Sequence, residues 1–544
     1  METYFYLISL FLILFSNIQT THYRCGADDI KLHPFNIEST EEEIEKRRLA
    51  DSYQPISIKV DFSSFTRPSQ LSSQIFNQVK NIIEETLLEF KKFLLINHEN
   101  IDLSGYYDRI KSACDVDEIS SDYANFLKND DVVIFPVFDS LSERVLAAAR
   151  FCLTKNKRPI AGVLYINPNL SFDIHNSDLY MKNILLHEIT HILVFHPELL
   201  NSLNMISSKN SVNYISSSKA LLKASQHFNC PSLSGIPLEN QGGSGSAGSH
   251  WESQYMLGDY MISTDYADTV LSDITLAVFE DSGFYKVNYY SGGLFKFGKN
   301  KGCDFLNKKC INNGVLLSEE EFCKTPMKPL CFASKTIKGY CGIFDYSDST
   351  TSIPPEYQYF DNPNYGGFYP ANFCPVSAST DSETDYYPDS CKVGTSSLHS
   401  DFGEKIGSSS FCFVSSLLPT STEMNSIDPQ SICYSVQCDS SNKQIIVNVG
   451  SQKVTCPTEG GEINPSGFKG SIICPKYIDI CDFKDNIICN DLYDCLTKRV
   501  ETDQNSYVYD PDDEDFIRIR SKGKFIQINY FLLSLEFLLF IIIY

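Results

Sequence analysis

The apolar positions in the first part of the chain follow periods that predict alternating strands and helices. Residues 56–62 (ISIKVDF) alternate apolar and polar side chains, which predicts a strand. Apolar residues recur at helical spacing over 72–97, which predicts a long amphipathic helix. Apolar runs at 131–138 and 161–166 predict two buried strands, and a second helix is predicted over 177–196. This order of elements is typical of an α+β or α/β layer domain.

The chain changes character after this second helix, where Pro197 is expected to end it. Residues 201–240 are rich in Ser and Asn, and 241–249 (QGGSGSAGS) form a Gly/Ser-rich loop. From Cys303 to Cys495 the chain is dense in cysteine, aromatic residues, Gly, Pro and Ser, with no long helical period. We expect a separate unit of loops and short strands, held by disulfides.

Both ends of the chain are hydrophobic. Residues 4–15 (YFYLISLFLILF) are too short to span a bilayer and match the apolar part of a signal peptide, although no basic residue precedes them. Residues 530–544 (YFLLSLEFLLFIIIY) have no basic residues after them, which favours a glycosylphosphatidylinositol-anchor signal over a short membrane tail. We therefore expect the secretory pathway and the cell surface, with a C-terminal membrane tether or secretion as the alternatives.

These changes in composition predict seven segments. The second of them contains a dibasic pair, Arg47-Arg48, which we expect to be a processing site. The segments are a signal peptide (1–20), a pro-segment (21–54), an N-terminal subdomain (55–200), a central subdomain (201–302), a cysteine-rich C-terminal domain (303–500), an acidic stalk (501–529) and a hydrophobic anchor signal or tail (530–544).

Charge and cysteine content narrow the class of protein. Lys and Arg total 45 against 68 Asp and Glu, so the net charge of −23 repels phosphate backbones and makes nucleic acid an unfavourable partner. The 544 residues contain 19 cysteines without a CxxC pair, which indicates disulfides formed in an oxidising compartment. The count is odd, so at least one thiol has no partner within the chain. If that thiol is Cys25, the other eighteen can form nine bridges.

The strongest chemical motif is His187-Glu188-Ile189-Thr190-His191 in the second predicted helix. Two His four positions apart share one helical face and can both bind one zinc ion. The Glu between them can take a proton from a zinc-bound water. The alternative is a helix whose two His pack against a neighbour, but the apolar flanks predict a buried helix, where unpaired imidazoles are costly.

A catalytic zinc needs a third protein ligand. The sequence does not match the common zinc-binding pattern HExxHxxGxxH, because Val194 occupies the Gly position and Pro197 occupies the position of the third His. His196 lies on another face of the helix and is a poor ligand. With His175 and His227, it is expected to lie at the surface.

A second block supplies the missing ligand. The chain reads Gly248-Ser249-His250-Trp251-Glu252, and Met261 follows His250 by eleven positions. Together with HEITH, this block resembles the leishmanolysin family, a branch of the metzincin metallopeptidases with a long insertion before its third ligand. The resemblance spans roughly residues 21–500, and Trp251 is the single Trp of the chain.

The resemblance implies zinc, one ion per chain, bound by His187, His191 and His250, with Glu188 as general base. Met261 would be the Met-turn residue beneath the three rings, and Cys25 would be a cysteine switch that occupies the water position. The alternative for Cys25 is an unpaired or intermolecularly bonded thiol. The implied fold is α+β: a metzincin-type catalytic domain with a mixed sheet and an active-site helix, an inserted central subdomain, and a disulfide-rich, mostly β and loop C-terminal domain.

The function implied is a zinc-dependent endopeptidase of the cell surface that acts on proteins or peptides, with adhesion as a further role. By analogy, strand 161–166 would be the sheet edge that pairs with an extended substrate. Val194 is a departure from the family, because a β-branched residue tolerates a left-handed helix exit poorly. The alternative is a catalytically weak or inactive zinc-binding adhesion protein on the same scaffold.

Overall fold

The structure is a computed structural model of the whole chain. It describes Cys25, Ile30, Ser349 and the ranges 32–39, 53–141, 145–169, 177–241, 247–289, 295–347, 351–379, 389–392, 402–423 and 426–481. The predicted signal peptide, dibasic site, acidic stalk and hydrophobic tail lie outside these residues.

A five-stranded mixed sheet organises the N-terminal part of the chain. Its strands, in spatial order, are β1 (Phe35–Ile37), β6 (Ala147–Lys155), β7 (Arg158–Ile166), β5 (Val132–Phe138) and β3 (Ile58–Val60). All neighbours are parallel except β6 and β7, which form an antiparallel hairpin. Three other strands, β2 (Tyr53–Pro55), β4 (Leu94–Asn97) and β11 (Tyr285–Val287), form a small antiparallel sheet.

Both faces of the five-stranded sheet are buried, which explains the uninterrupted apolar runs of its strands. In β5, Ile134 faces the largest hydrophobic cluster, whereas Val133 and Phe135 face a second one. The helices α1 (Ser73–Phe93) and α4 (Ser177–Leu193) contribute to the first cluster. The second includes residues of α2 (Tyr107–Cys114) and of the short helix α3 (Phe126–Asn129).

The predicted strands and helices are present with shifted ends. The first helix, α1, begins at the Ser72 cap, whose hydroxyl accepts from the Ile75 N–H, and ends at Phe93; the last four predicted residues form β4 instead. The apolar face of α1 packs on the sheet cluster as its period predicted.

The expectation that strand 161–166 is a sheet edge was wrong, because β7 lies between β5 and β6. The outer strands are β1 and β3.

The segment after α4 is more regular than its Ser- and Asn-rich composition suggested. It contains α5 (Pro197–Ser202), the sheet of β8 (Ile206–Lys209), β9 (Val212–Ile215) and β10 (Ile236–Pro237), then α6 (Ser218–Phe228), α7 (Ser253–Met256) and α8 (Asp273–Asp281). Much of it joins the same hydrophobic cluster as α4.

Short strands dominate the region from Cys303 onward, as its composition predicted. After α9 (Cys303–Asn307) come β12 (Ile311–Asn312), β13 (Val315–Leu316), β14 (Pro329–Cys331), β15 (Lys338–Cys341), β16 (Phe344–Asp345), β17 (Tyr365–Gly366) and β18 (Ser377–Ala378). Then follow β19 (Ser410–Ser415), β20 (Leu418–Pro419), β21 (Gln430–Asp439), β22 (Gln444–Val449), β23 (Gln452–Thr455), β24 (Gly461–Ile463), β25 (Phe468–Lys469), β26 (Ile472–Cys474) and α10 (Tyr477–Ile480). Six of these strands form one sheet, ordered β23-β22-β21-β19-β26-β24. The predicted α+β fold with a disulfide-rich C-terminal region is thus confirmed.

Eight disulfides join sixteen of the cysteines. They are Cys114–Cys152, Cys230–Cys303, Cys310–Cys374, Cys323–Cys341, Cys331–Cys412, Cys391–Cys433, Cys438–Cys481 and Cys456–Cys474. A ninth bridge would need Cys489 and Cys495, which are outside the described residues. Within the described part of the chain, no helix has the length and apolar character needed to cross a membrane.

Candidate metal centre

Helix α4 carries the HEITH motif on a buried segment. His187 is 9% exposed, Glu188 1% and His191 0%, and the intervening apolar residues belong to the main hydrophobic cluster. The helix packs directly on the sheet at Gly162, where a Cβ atom would lie only 2.5 Å from Cγ2 of Ile192. A glycine at this point of β7 therefore sets how closely the motif helix approaches the sheet.

The helix ends at Leu193, one turn earlier than predicted. The Thr190 carbonyl accepts from the N–H groups of both Val194 and Phe195, at 2.9 and 3.0 Å, which closes the last turn. Val194 does not adopt a positive φ, so the exit from α4 does not require glycine. Pro197 begins the next helix, α5, rather than ending α4, because proline is tolerated at a first helical position.

Two histidines expected at the surface lie elsewhere. His196 is only 2% exposed and caps α5, where its Nδ1 accepts from the Glu198 N–H. Burial lowers the pKa of His196 to about 3. His227 is half-buried, and its Nε2 lies 2.8 Å from the Phe297 carbonyl oxygen. His175 is outside the described residues.

The third histidine is carried by a loop that folds back on Glu239. The Gly248 N–H donates to the Glu239 carbonyl at 2.8 Å, and the Glu239 N–H donates to the His250 carbonyl at 2.9 Å. Gly248 has a φ of +87°, which favours glycine at the start of the GSHWE block. The Ser249 hydroxyl lies 2.9 Å from Nδ1 of His250 and fixes the orientation of its ring.

These elements bring the three Nε2 atoms together. The separations are 3.0 Å between His187 and His191, and 3.2 Å from each of these to His250. Four ligands of a tetrahedral zinc, each at about 2.0–2.1 Å, lie about 3.3 Å from one another. The triangle of nitrogen atoms therefore has the size that one zinc ion requires.

The hydrogen-bond partners of Nδ1 in His187 and His191 indicate which ring nitrogen carries the proton. Nδ1 of His187 lies 2.5 Å from the Tyr260 carbonyl oxygen, and Nδ1 of His191 lies 2.6 Å from that of Phe195. A carbonyl only accepts, so these Nδ1 atoms hold the protons and their Nε2 lone pairs point at one another. Burial lowers the pKa of His187 to about 4 and that of His191 well below its usual value, so both rings are neutral at pH 7. Converging lone pairs of neutral rings suit a cation.

A chain of buried hydrogen bonds supports the segment that follows the third histidine. Trp251 Nε1 donates to the Thr275 hydroxyl at 2.8 Å, and that hydroxyl donates to Asp259 Oδ2 at 2.8 Å. Asp259 Oδ1 accepts from the Met261 N–H at 2.8 Å, and the Met261 carbonyl accepts from the Trp251 N–H at 3.0 Å. The circuit joins the residue after His250 to Met261. We call it the Trp251 circuit.

Tyr260 connects this circuit to helix α4. Its carbonyl orients His187, as described above, and its hydroxyl lies 2.8 Å from the Thr190 hydroxyl of the HEITH motif. The phenol is buried, and burial raises its pKa well above the usual value. The backbone and the side chain of one residue therefore both hold the motif helix.

Glu188 lines a cavity of about 50 Å³. His187 and Tyr180 of α4 also line it, as does Ile262, the residue after Met261. Cys25 lines the same cavity, with its Sγ 3.3 Å from Nε2 of His191. Cys25, His187, His191 and His250 form one group, whose candidate ligand atoms all lie within 4.8 Å of one another. A thiolate is a good zinc ligand, so the donor set suits zinc.

A buried acidic pair lies behind the third histidine. Burial raises the pKa of Glu239 to about 8, and burial together with the Glu239 charge raises that of Glu252 well above the usual value. Glu252 Oε1 accepts from Asn372 Nδ2 at 3.0 Å, and the same nitrogen donates to Gln254 Oε1 at 3.0 Å. Asn372 belongs to the cysteine-rich region, which thus contacts the loop that carries His250.

Comparison of the sequence with known proteins points to the same family as the site residues. The profile of the leishmanolysin family (Peptidase_M8) matches residues 97–488, more than half of the chain. The chain belongs to the leishmanolysin family. The predicted membership is confirmed, and the metallopeptidases of this family use zinc.

Several leishmanolysins are similar to the chain at low identity. Leishmanolysin of Leishmania chagasi is 26% identical over 477 residues, which cover 79% of this chain and 77% of that protein. Leishmanolysin of Leishmania tropica is 27% identical over 392 residues, covering 67% and 58% respectively. A leishmanolysin-like peptidase of Caenorhabditis briggsae is 29% identical over 300 residues, covering 48% and 44%. The chain thus spans less than two thirds of the length of two of these relatives.

The structure brings the four candidate ligand residues together and adds residues that the sequence did not single out. His187, His191, His250 and Cys25 converge, and Glu188 lines the adjoining cavity. Thr275 and Asn372 had no local signal in the sequence. Asp259 and Tyr260 stand in the Gly258-Asp259-Tyr260-Met261 run, so their proximity to Met261 was the one available hint.

Proposed function

We propose that the chain is a zinc-dependent endopeptidase of the cell surface. In this proposal His187, His191 and His250 hold one zinc ion through their Nε2 atoms, and Met261 forms the Met-turn beneath them. The observation that carries the proposal is the convergence of three imidazole Nε2 atoms from rings whose Nδ1 atoms are held from behind. Glu188 lies on the same helix and lines the same cavity as His187.

Each residue has a role in peptide hydrolysis. Zinc bound here would polarise the scissile carbonyl and acidify a water molecule. Glu188 accepts a proton from the attacking water and passes it to the leaving amine. An extended substrate pairs with the part of β6 that precedes Leu153, because β1 pairs with β6 only at residues 153–155 and β7 is covered on both sides. Cys25, whose Sγ lies 3.3 Å from Nε2 of His191, occupies the water position until the pro-segment leaves.

We infer the location and the partners from the hydrophobic segments 4–15 and 530–544 and from the family. Proteins or peptides are the substrates, and a lipid anchor or short C-terminal tail attaches the enzyme to the membrane. Adhesion is a further role of the surface-displayed chain. The second candidate function is a scaffold that binds zinc but cleaves weakly or not at all, and the following experiment separates the two.

The full chain is produced in a secretory host, freed of its pro-segment, and assayed for casein cleavage and for zinc content. Glu188→Gln should retain one zinc and lose about 100- to 10,000-fold in kcat, the usual contribution of a general base. Glu84→Gln, at an exposed position of α1, is the matched control and should behave as wild type. 1,10-Phenanthroline should stop wild-type cleavage. Zinc binding without cleavage in the wild type would favour the scaffold, and absence of zinc would refute the metal site.

A further inference from the structure

Residues upstream of the catalytic part make a second contact, separate from the metal site. Strand β1 (Phe35–Ile37) pairs in parallel with the end of β6, with Phe35 opposite Leu153 and Ile37 opposite Lys155. It forms one edge of the five-stranded sheet. This edge strand comes from the predicted pro-segment, not from the catalytic part of the chain.

Side chains reinforce the pairing at the β6–β7 turn. Asn156 and Lys157 form this turn with positive φ values of 50° and 70°, a conformation typical of tight hairpins. The Asn156 N–H donates to the Ile37 carbonyl at 3.0 Å, and its side chain exchanges two hydrogen bonds with Ser39, at 3.0 and 2.6 Å. Asn36 Oδ1 accepts from the Thr154 hydroxyl at 2.9 Å. The turn thus binds the segment by its backbone and its side chains.

Apolar contacts fill the space between this segment and helix α2. Leu32 is 7% exposed and belongs to the second hydrophobic cluster, against which Ile30, Phe35 and Ile37 also pack. The Phe35 ring lies 4.7 Å from the Arg109 guanidinium of α2. These contacts bury side chains that an unbound pro-segment would expose to water.

Ile30, which lies between the two contacts in the sequence, also contacts β6. Cys25 lies at the metal site, where its N–H donates to the Ser263 carbonyl at 3.5 Å. Further along, the Ile30 carbonyl accepts from Arg150 Nη1 at 2.7 Å, and β1 then meets residues 153–155. One short stretch of chain therefore joins a metal-directed thiol to a strand anchor.

We propose that the β6 edge, the β6–β7 turn and the adjoining face of α2 form a docking site for residues 30–39, and that this site retains the pro-segment after the chain is cut between residues 40 and 52. The inhibitory consequence rests on the proposed role of Cys25. The anchor holds the thiol near the metal site at high effective concentration. Cleavage at Arg47-Arg48 alone therefore leaves the enzyme inhibited, and activation needs the strand to dissociate as well.

Retention is tested without reference to activity. The full chain, with a site for a sequence-specific protease introduced between residues 40 and 52, is cut completely and passed through a size-exclusion column. We expect the pro-segment to co-elute in the wild type and in Cys25→Ser. Ile37→Asp, which places a charge against the apolar cluster, should release it, whereas Glu38→Ala, at an exposed neighbouring position, should not. Release from the wild type on cutting would overturn the proposal.

Synthetic peptides then separate the anchor from the thiol. Fluorescently labelled peptides of residues 22–39 and 22–30 are titrated into cut Ile37→Asp protein freed of its own pro-segment. The longer peptide should bind at least about 100-fold more tightly, because two linked contacts act together. The Cys25→Ser version of the longer peptide should still bind. Equal affinity of the long and short peptides would refute the anchor. A long peptide that binds without inhibiting would leave the docking site intact and refute the proposed cysteine switch.

Discussion

Replacing Thr275 by Val should break the Trp251 circuit while preserving its shape. Thr275 is fully buried at the start of α8, where its hydroxyl accepts from Trp251 Nε1 and donates to Asp259 Oδ2. Valine puts a methyl group in place of the hydroxyl, so both partners stay buried without this bond. An unpaired buried donor costs about 1–3 kcal/mol and a lost bond to a carboxylate about 1.5–3 kcal/mol, so we expect a loss of about 3–5 kcal/mol in the free energy of unfolding.

The circuit contains its own probe. Trp251 is the single Trp of the chain and is fully buried, so its fluorescence reports directly on unfolding of the segment that holds Met261. Urea unfolding with the disulfides intact is compared for wild type, Thr275→Val and Thr275→Ser. The serine keeps the hydroxyl and removes one methyl group, which costs about 1 kcal/mol. The reasoning is refuted if the valine and serine variants are equally stable within about 1 kcal/mol.

Three further predictions concern the supports of the metal site. Gly162→Ala should push α4 away from the sheet and lower the free energy of unfolding by about 1–3 kcal/mol. Adding Ile192→Ala to this variant should recover part of the loss. If the two single losses measured by urea unfolding simply add in the double variant, the proposed contact is contradicted. Burial raises the pKa of Asp259 from 3.8 to about 6, so its stabilising contribution is present below pH 4 and is lost as the pH rises to about 6. Asp259→Asn should therefore flatten the pH dependence of unfolding over this range by about 3 kcal/mol relative to wild type, and unchanged profiles would contradict the shift. Asn372→Gly keeps the positive φ of this residue and removes its bond to Glu252, so zinc should bind about 10-fold more weakly in a chelator competition, whereas unchanged affinity would argue against this support.

The local periods of the sequence were a good guide to the catalytic half of the fold. The apolar runs of β5 and β7 and the helical spacing of α1 and α4 reflect burial that each element requires on its own. Strand β6, in contrast, was not predicted. Its residues, AAARFCLTK, have a weak pattern, and their burial depends on the neighbours that the sheet provides.

The same division holds at the site. The pair His187 and His191 follows from helical geometry alone, because four residues bring both rings to one face. His250 was proposed only through the family motif, since no local rule brings a residue 59 positions away onto the same point. Thr275 and Asn372 carry no sequence signal, because a hydroxyl or an amide acquires its role only from the buried groups that packing sets beside it.

By itself, the sequence determined the elements and chemistry that depend on near neighbours: the α+β order, the zinc-type helix motif and the odd count of cysteines. Tertiary structure decided which residues meet across long stretches of chain. It brought the candidate ligand atoms of three His residues and Cys25 within 4.8 Å of one another, joined Trp251 to Met261 through Asp259, and laid β1 on the edge of β6. The physical reason is that helical and strand periods depend on residues close together in the sequence. The long-range contacts depend instead on how buried surfaces from distant segments pack together.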